Sequence, residues 1–199
     1  MDAFVSGLRA TAALELVSVV LGVVYALLAV RQHRLCWVFG GLSSAILIYL
    51  AAGSRLPMQA LLQACYVAMS FYGFWSWSRE GTDVASRITT WSARNHGLAA
   101  VIVIVASAVL APGVAAWTGA AWPRLDMATM LASLLATWMV ARSKLENWLY
   151  WIVIDLVSLF LYAAQSLYFV AVLYGAYLVI AVIGYFTWRE RYRAARAVH

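Results

Sequence analysis

Long apolar segments recur along this chain and decide what it can fold into. The sequence is 65% hydrophobic and only 11% charged, with a mean hydropathy of +0.84, which lies outside the range of soluble domains. About 20 apolar residues suffice to cross the roughly 30 Å hydrocarbon core of a bilayer as a helix. The sequence therefore predicts an all-α integral membrane protein. Its seven predicted transmembrane helices lie at residues 12–30, 36–52, 57–77, 97–117, 125–141, 147–164 and 166–188.

The distribution of positive charge predicts how the chain sits in the membrane. With seven spans, eleven of the 14 Lys and Arg residues fall on one side and three on the other. Cytoplasmic loops carry the excess of Lys and Arg, so the C-terminus is predicted inside and the N-terminus outside. The net charge of +6 is thus explained by topology and by contact of the basic tail with anionic lipid, and no nucleic-acid partner is predicted. The eleven residues are Arg31, Arg34, Arg79, Arg87, Arg94, Arg142, Lys144, Arg189, Arg191, Arg193 and Arg196.

The chain matches itself without a gap when the segment that begins at Leu14 is laid on the segment that begins at Leu125. We call this pairing the repeat alignment. Three helices in each repeat and one between them predict a 3+1+3 arrangement of parallel repeats. Residues of rare types coincide in the repeat alignment: Trp37 with Trp148, Gly73 with Gly184 and Trp77 with Trp188. The predicted segments are an external terminus (1–11), the first repeat (12–77), a cytoplasmic loop (78–96), a connector helix (97–117), the second repeat (125–188) and a basic cytoplasmic tail (189–199).

A single carboxylate, Asp155, lies within a strongly apolar segment. An ionisable group at such depth is costly, and it usually faces a pathway or a bound polar ligand. On a helix, Trp148, Trp151, Ser158 and Tyr162 share its face because they follow steps of three and four residues. A carboxylate between aromatic rings favours a cationic or amine-bearing solute. We therefore expect Asp155 and Trp151 to contact the transported or bound molecule.

The two halves differ at these positions. Gly40 and Ser44 of the first half correspond to Trp151 and Asp155 of the second. A purely structural scaffold would keep such positions alike, whereas a site for an asymmetric solute would not. The divergence between the halves therefore also indicates Trp151 and Asp155 as the residues that contact the solute.

Further candidates lie on other helices. Gln63 and Tyr66 share a face of the third predicted helix, and Tyr177 lies at the matching place on the seventh. The amide of Gln63 can donate and accept, although an interhelical hydrogen bond explains it equally well. Trp37 and Trp148 lie near predicted cytoplasmic helix starts and fit either an interfacial belt or a site.

The sequence predicts neither a metal site nor a cofactor. Cys36 and Cys65 fall inside apolar helices and fit buried small hydrophobes. His33, His96 and His199 lie in predicted loops or at the end of the chain, without the cluster of Cys, His and acidic residues that metal ligation requires.

Several motifs together resemble the Pnu-type vitamin transporters (the PnuC family). They are Leu61-Leu62-Gln63, Tyr72-Gly73, Trp77, Glu146-Asn147-Trp148 and Trp151-x-x-x-Asp155. The resemblance implies a fold related to the SWEET sugar transporters, usually a homotrimer, in a bacterial inner membrane. It also implies facilitated diffusion of a vitamin, trapped by a cytoplasmic kinase. The candidate substrate-binding residues are Trp151, Asp155, Gln63, Asn147, Trp148, Tyr66, Tyr177 and Trp37.

The acid at position 155 bears on the choice of vitamin. Members that carry nicotinamide riboside typically have Asn there, and the Trp-x-x-x-Asp version resembles the thiamine branch. Because both solutes carry a cationic ring, charge alone does not separate them. We expect thiamine, with nicotinamide riboside next and riboflavin third. An intramembrane enzyme would need paired catalytic groups and a channel would favour rings of repeated polar residues, so both are weaker alternatives.

The charge distribution gives a direct test of topology. A reporter that is active only in the periplasm, fused after His199, should give no signal because the C-terminus is predicted inside. The same reporter inserted at Arg55, in the predicted external hairpin, serves as the positive control. A strong signal from the C-terminal fusion would contradict the span count or the orientation.

Overall fold

The computed structural model describes residues 2–53, 57–79, 87–118 and 122–197, and the regular structure in these ranges is helical apart from one isolated bridge between Thr89 and Lys144. The prediction of an all-α chain is confirmed. Seven helices form within the described ranges. They are α1 (Asp2–Val30), α2 (Cys36–Gly53), α3 (Pro57–Arg79), α4 (Ala93–Thr118), α5 (Pro123–Ala141), α6 (Asn147–Ala164) and α7 (Tyr168–Ala197).

Four of these helices are long and apolar enough to cross a membrane. Among the described residues, the qualifying segments are Thr11–Val30, Ala93–Ala116, Asn147–Ala164 and Tyr168–Ala197. Cys36–Ala52 is apolar but shorter. The helix starts and ends agree with the predicted spans to within two residues, with three exceptions. α1 begins at Asp2, within the predicted external terminus, α4 begins at Ala93, within the predicted cytoplasmic loop, and α7 continues to Ala197 through most of the predicted tail.

The turns after α1 and α5 have the same backbone conformation and the same hydrogen-bond pattern. Gln32 and Ser143, which are partners in the repeat alignment, both adopt a left-handed conformation, with φ of 57° and 50°. The amide of His33 then donates to Leu28 O at 3.0 Å, and that of Lys144 to Met139 O at 2.9 Å. This pattern ends a helix by satisfying its last carbonyls, so both helices stop at the same place in the repeat.

The chain divides into two compact units, residues 1–84 and 85–199. In the first unit α2 packs against both α1 and α3. In the second unit α5 packs against α4 and α6, and α6 packs against α7.

A tryptophan ring on a glycine joins the last two helices of each repeat. A Cβ atom on Gly184 would lie 2.6 Å from the indole of Trp148, and Gly73 faces Trp37 more closely still. In each unit the same ring meets a second tryptophan edge-on: Trp37 and Trp77 lie 5.5 Å apart at 81°, and Trp148 and Trp188 lie 5.5 Å apart at 87°. Edge-to-face geometry is favourable for aromatic pairs, so each contact fixes how closely its two helices approach.

The helix bounds follow the repeat alignment as well. In that alignment the first and last residues of α6 coincide with those of α2. The first residue of α7 coincides with that of α3, and the last residue of α5 coincides with that of α1. The same turn and the same ring-on-glycine contact thus occur at matching places in the sequence. The parallel direction of the two halves in the membrane stays a prediction.

The ring-on-glycine contact can be tested by adding one methyl group. Gly184→Ala should destabilise the protein by about 1–3 kcal/mol because the methyl overpacks the space that Trp148 fills. Gly97→Ala is the matched control, since its added Cβ would meet nothing within 4 Å. Thermal unfolding in detergent measures both, and equal midpoints for the two variants would contradict the packing role.

Candidate functional site

The carboxylate of Asp155 is buried on α6 without a hydrogen-bond partner among the described residues. Asp155 is 2% exposed, and Ser158, one turn later on the same face, is also buried. Burying a carboxylate is costly unless another group compensates its charge or donates to its lone pairs. Asp155 therefore has capacity for a bound donor or cation.

A row of tyrosines lies next to this acid in the second unit. The hydroxyl of Tyr177 on α7 is close enough to Asp155 to interact with its charge. Tyr177 meets Tyr174 edge-on at 6.3 Å, and Tyr174 stacks on Tyr162 of α6 at 5.3 Å with 13° between the planes. The structure thus brings the predicted residues Asp155 and Tyr177 together and adds two stacked rings beside them.

Trp151 lies one helical turn before Asp155 and is half-buried, so part of its indole remains accessible. Its counterpart Gly40 has no room for a side chain, because a Cβ there would lie 2.9 Å from the ring of Tyr25 on α1. In the repeat alignment Tyr25 corresponds to Ala136. At these two aligned positions the first half therefore carries its ring on its first helix, and the second half carries its ring on its second helix.

Asn147 and Trp148 occupy the first turn of α6. Asn147 is 0% exposed, and its Nδ2 donates to Lys144 O at 2.6 Å. Its Oδ1 and the Nε1 of Trp148 are buried without a hydrogen-bond partner among the described residues. The visible role of both residues is to build the helix start and its contact with α7, and each retains one polar atom that could serve a ligand.

The remaining candidates lie in the first unit. Gln63 on α3 is 6% exposed, and its amide makes no hydrogen bond with the residues that the structure describes. Tyr66 is half-buried one turn later, and its carbonyl accepts from Ser70. Trp37 is buried between Tyr25, Gly73 and Trp77. Its packing explains its burial, while Gln63 retains the polar capacity expected of a ligand contact.

Sequence reasoning missed a polar face on α5. Ser133 and Thr137 are buried and donate to the carbonyls one turn before them, at 2.7 and 2.8 Å. The hydroxyl oxygens keep lone pairs that can accept. The matching residues in the first half are Gly22 and Ala26. The spacing of four between two hydroxyls was the signal that could have indicated this face.

His96 was also missed as an interacting residue. It was predicted as a loop histidine, and the structure places it in the first turn of α4, where its Nδ1 lies 3.0 Å from the Tyr150 hydroxyl of α6. Across the described ranges, no three or more His, Cys, Asp or Glu residues lie close enough to hold a metal ion.

Comparison with known proteins identifies the family to which this arrangement is related. The profile of the nicotinamide mononucleotide transporters matches residues 12–190. The riboflavin/roseoflavin transporter RibM of Streptomyces davaonensis is 30% identical over 186 residues, covering 90% of this chain and 85% of RibM. The nicotinamide riboside transporter PnuC of Escherichia coli is 26% identical over 172 residues, covering 72% of each chain.

A solved structure extends the similarity to the fold. A crystal structure of the vitamin B3 transporter PnuC superposes with a TM-score of 0.74 at 22% identity, covering 96% of this chain and 87% of that one. At this identity the likeness shows the fold alone.

Replacing the side-chain amide of Asn147 tests whether its hydrogen bond stabilises the start of α6. Asn147→Asp should destabilise the protein by about 1–3 kcal/mol, because a buried carboxylate would face the Lys144 carbonyl in place of a donor. Asn95→Asp is the matched control, since Asn95 is half-buried in the first turn of α4, where a negative charge is favourable. Chemical unfolding measures both, and a neutral Asn147→Asp would show that the 2.6 Å contact contributes nothing.

Proposed function

The chain belongs to the nicotinamide mononucleotide transporter family, that of the Pnu-type transporters, and on this premise we propose that it carries thiamine across a membrane by facilitated diffusion. The family and the relatives are transporters, so the intramembrane-enzyme alternative is set aside. The single observation that carries the choice of solute is the buried carboxylate of Asp155, which has no hydrogen-bond partner among the described residues.

Thiamine matches the chemistry around this acid. Its aminopyrimidine offers an exocyclic amine, which can donate to a carboxylate, and its thiazolium ring carries a positive charge. A charge-assisted hydrogen bond is stronger than a neutral one. The half-buried indole of Trp151, one turn away, offers a flat face on which an aromatic ring can stack. The two residues together would hold the amine and the ring of one solute.

Tyr177 adds a proposed solute contact in the second unit, and Gln63 adds one in the first. The amide of Gln63 can donate and accept, so it suits a solute with polar groups at both edges of a ring. The Tyr177 hydroxyl, which is close enough to Asp155 to interact with its charge, can donate to a solute bound beside the acid. Asn147 and Trp148 in the second unit and Trp37 and Tyr66 in the first remain proposed solute contacts, and the two tryptophans also pack their helices against Gly184 and Gly73.

Nicotinamide riboside and riboflavin are the other candidate solutes, because relatives are named for them. Nicotinamide riboside also has a cationic ring and is the second candidate. Riboflavin is neutral, so it would gain less from a buried carboxylate. The RibM relative has the higher identity of the two, and this keeps riboflavin in the test.

The proposed transport architecture is the 3+1+3 arrangement, with α4 as the connector. It is supported by the helix bounds and turns that recur in the repeat alignment. We place the C-terminus in the cytoplasm on the Lys and Arg distribution and expect a homotrimer. With no energy input, net uptake would depend on phosphorylation of the vitamin inside the cell.

Binding to purified protein tests the choice of solute and the two main contacts. Asp155→Asn should weaken thiamine binding at least about tenfold through the lost charge-assisted hydrogen bond. Trp151→Ala should cost roughly 1–3 kcal/mol through lost stacking. Isothermal titration with thiamine, nicotinamide riboside and riboflavin measures all three solutes on each variant.

Two matched substitutions control this experiment. Asp126→Asn removes an exposed carboxylate from α5, and Trp122→Ala removes an exposed indole, so both should bind like the parent protein. If Asp155→Asn and Trp151→Ala also bind like the parent while remaining folded, the solute site lies elsewhere. If the parent protein prefers riboflavin or nicotinamide riboside, the assignment of thiamine is wrong and that of a vitamin transporter stands.

A further inference from the structure

A short segment before α4 holds the turn that starts α6. Thr89 and Lys144 form the isolated bridge, with Thr89 N donating to Ser143 O at 3.0 Å and Leu145 N donating to Thr89 O at 2.9 Å. Lys144 Nζ donates to Thr89 Oγ1 at 2.8 Å. The turn between α5 and α6 is thus paired with a segment that lies far earlier in the chain, before both α4 and α5.

Side chains strengthen this pairing at the first turn of α6. Glu146 Oε1 accepts from the Trp91 amide at 3.0 Å and lies 4.0 Å from His96 Nε2. The His96 ring stacks on Tyr150 at 5.8 Å and 28°, with its Nδ1 3.0 Å from the Tyr150 hydroxyl. We call Trp91, His96, Glu146 and Tyr150 the α6 clamp.

The α6 clamp also reaches α5. The Trp91 ring lies 5.4 Å from His96 and 5.7 Å from Trp138 in the last turn of α5. The clamp therefore contacts the end of α5, the start of α6 and the start of α4 at once. Any rotation or sliding of α6 along its axis would break a carboxylate hydrogen bond and a ring stack together.

The first half has no counterpart among its described residues. Leu27, Leu35 and Phe39 stand where Trp138, Glu146 and Tyr150 stand in the second half. Leu27 and Leu35 are exposed. The turn itself is shared by both halves, so the clamp is an addition to the second half and the turn does not require it.

We propose that Glu146 and His96 are positioning residues for the solute-contacting face of α6. Glu146 immediately precedes the continuous helix that carries Asp155, and nine steps of 1.5 Å place the two residues roughly 14 Å apart along its axis. Tyr150 is the neighbour of Trp151. When the first turn of α6 is held in place, Trp151 and Asp155 keep their positions along the helix axis and their directions around it. The inference rests on the proposed function only in the identity of the ligand that Trp151 and Asp155 contact.

Three substitutions separate the parts of the clamp. Glu146→Leu introduces the residue of the first half and removes both the acceptor and the charge, whereas Glu146→Gln retains an acceptor for the Trp91 amide. His96→Phe keeps the ring stack and removes both polar contacts, so it tests the clamp even if Glu146→Leu fails to fold. Glu190→Gln, at an exposed position on α7, is the control for loss of a glutamate charge.

Hydrogen exchange and thiamine titration on the purified full chain are the two measurements. Glu146→Leu and His96→Phe should speed amide exchange across residues 143–151 without changing it at the matching turn, residues 32–40. They should also weaken thiamine binding about tenfold, the loss expected for one charged hydrogen bond. Glu146→Gln should recover most of the affinity, and Glu190→Gln should change neither measurement.

The outcomes separate this inference from the proposed function. Faster exchange with unchanged affinity would make the clamp purely structural and overturn the positioning role. Unchanged exchange in both variants would show that the clamp does not hold α6. If the parent protein binds none of the three vitamins, the proposed solute fails, while the exchange data still decide whether the clamp fixes the helix.

Discussion

The contact of an indole ring with a glycine is the constraint on which both helical units depend. Trp37 on Gly73 and Trp148 on Gly184 occupy space that no other side chain could share. Lipid tails are as apolar as the helix surfaces, so close packing rather than the hydrophobic effect must hold helices together within a bilayer. A ring laid on a bare backbone achieves such packing, and the second tryptophan placed edge-on keeps the ring from turning. The polar groups of α6 depend on this contact because it lies at the start of their helix.

Onto this shared frame the second unit adds a buried carboxylate, which the described part of the first unit lacks. Asp155, Ser158, Ser133 and Thr137 are buried there, with Tyr177 beside the acid, while the clamp of Glu146 and His96 holds the start of α6. The first unit also buries polar groups, namely the amides of Gln32 and Gln63 and the hydroxyls of Ser18, Ser43, Ser44 and Ser76, but no carboxylate among its described residues. A membrane protein bears the cost of buried polar groups where they serve a polar pathway or ligand. The asymmetry therefore marks the second unit as the more specialised of the two.

Sequence reasoning predicted the helices, the internal repeat and the depth of Asp155, because each depends on local composition or on the order of rare residues. It missed the contact between His96 and Glu146, because these residues are distant in sequence and their pairing follows no helical period. It also treated Gly40 and Trp151 as a simple divergence, since only coordinates show that the ring of Tyr25 occupies the space above Gly40. The turns at Gln32 and Ser143 were not predictable either, because neither residue is the glycine or asparagine that usually adopts a left-handed conformation.

One half carries an aromatic ring on its first helix, as Tyr25, and the other carries one on its second helix, as Trp151. This difference has a consequence for how the two halves could have evolved. Suppose that the halves arose by duplication of one ancestral segment. A tryptophan gained at position 40 would then collide with Tyr25, and loss of the half-buried Tyr25 alone would remove its ring from the contacts with Gly40 and Trp37. The two changes are tolerable only together, since neighbouring substitutions are strongly non-additive. A return of either half to the arrangement of the other by single substitutions would therefore pass through an overpacked or an underpacked intermediate.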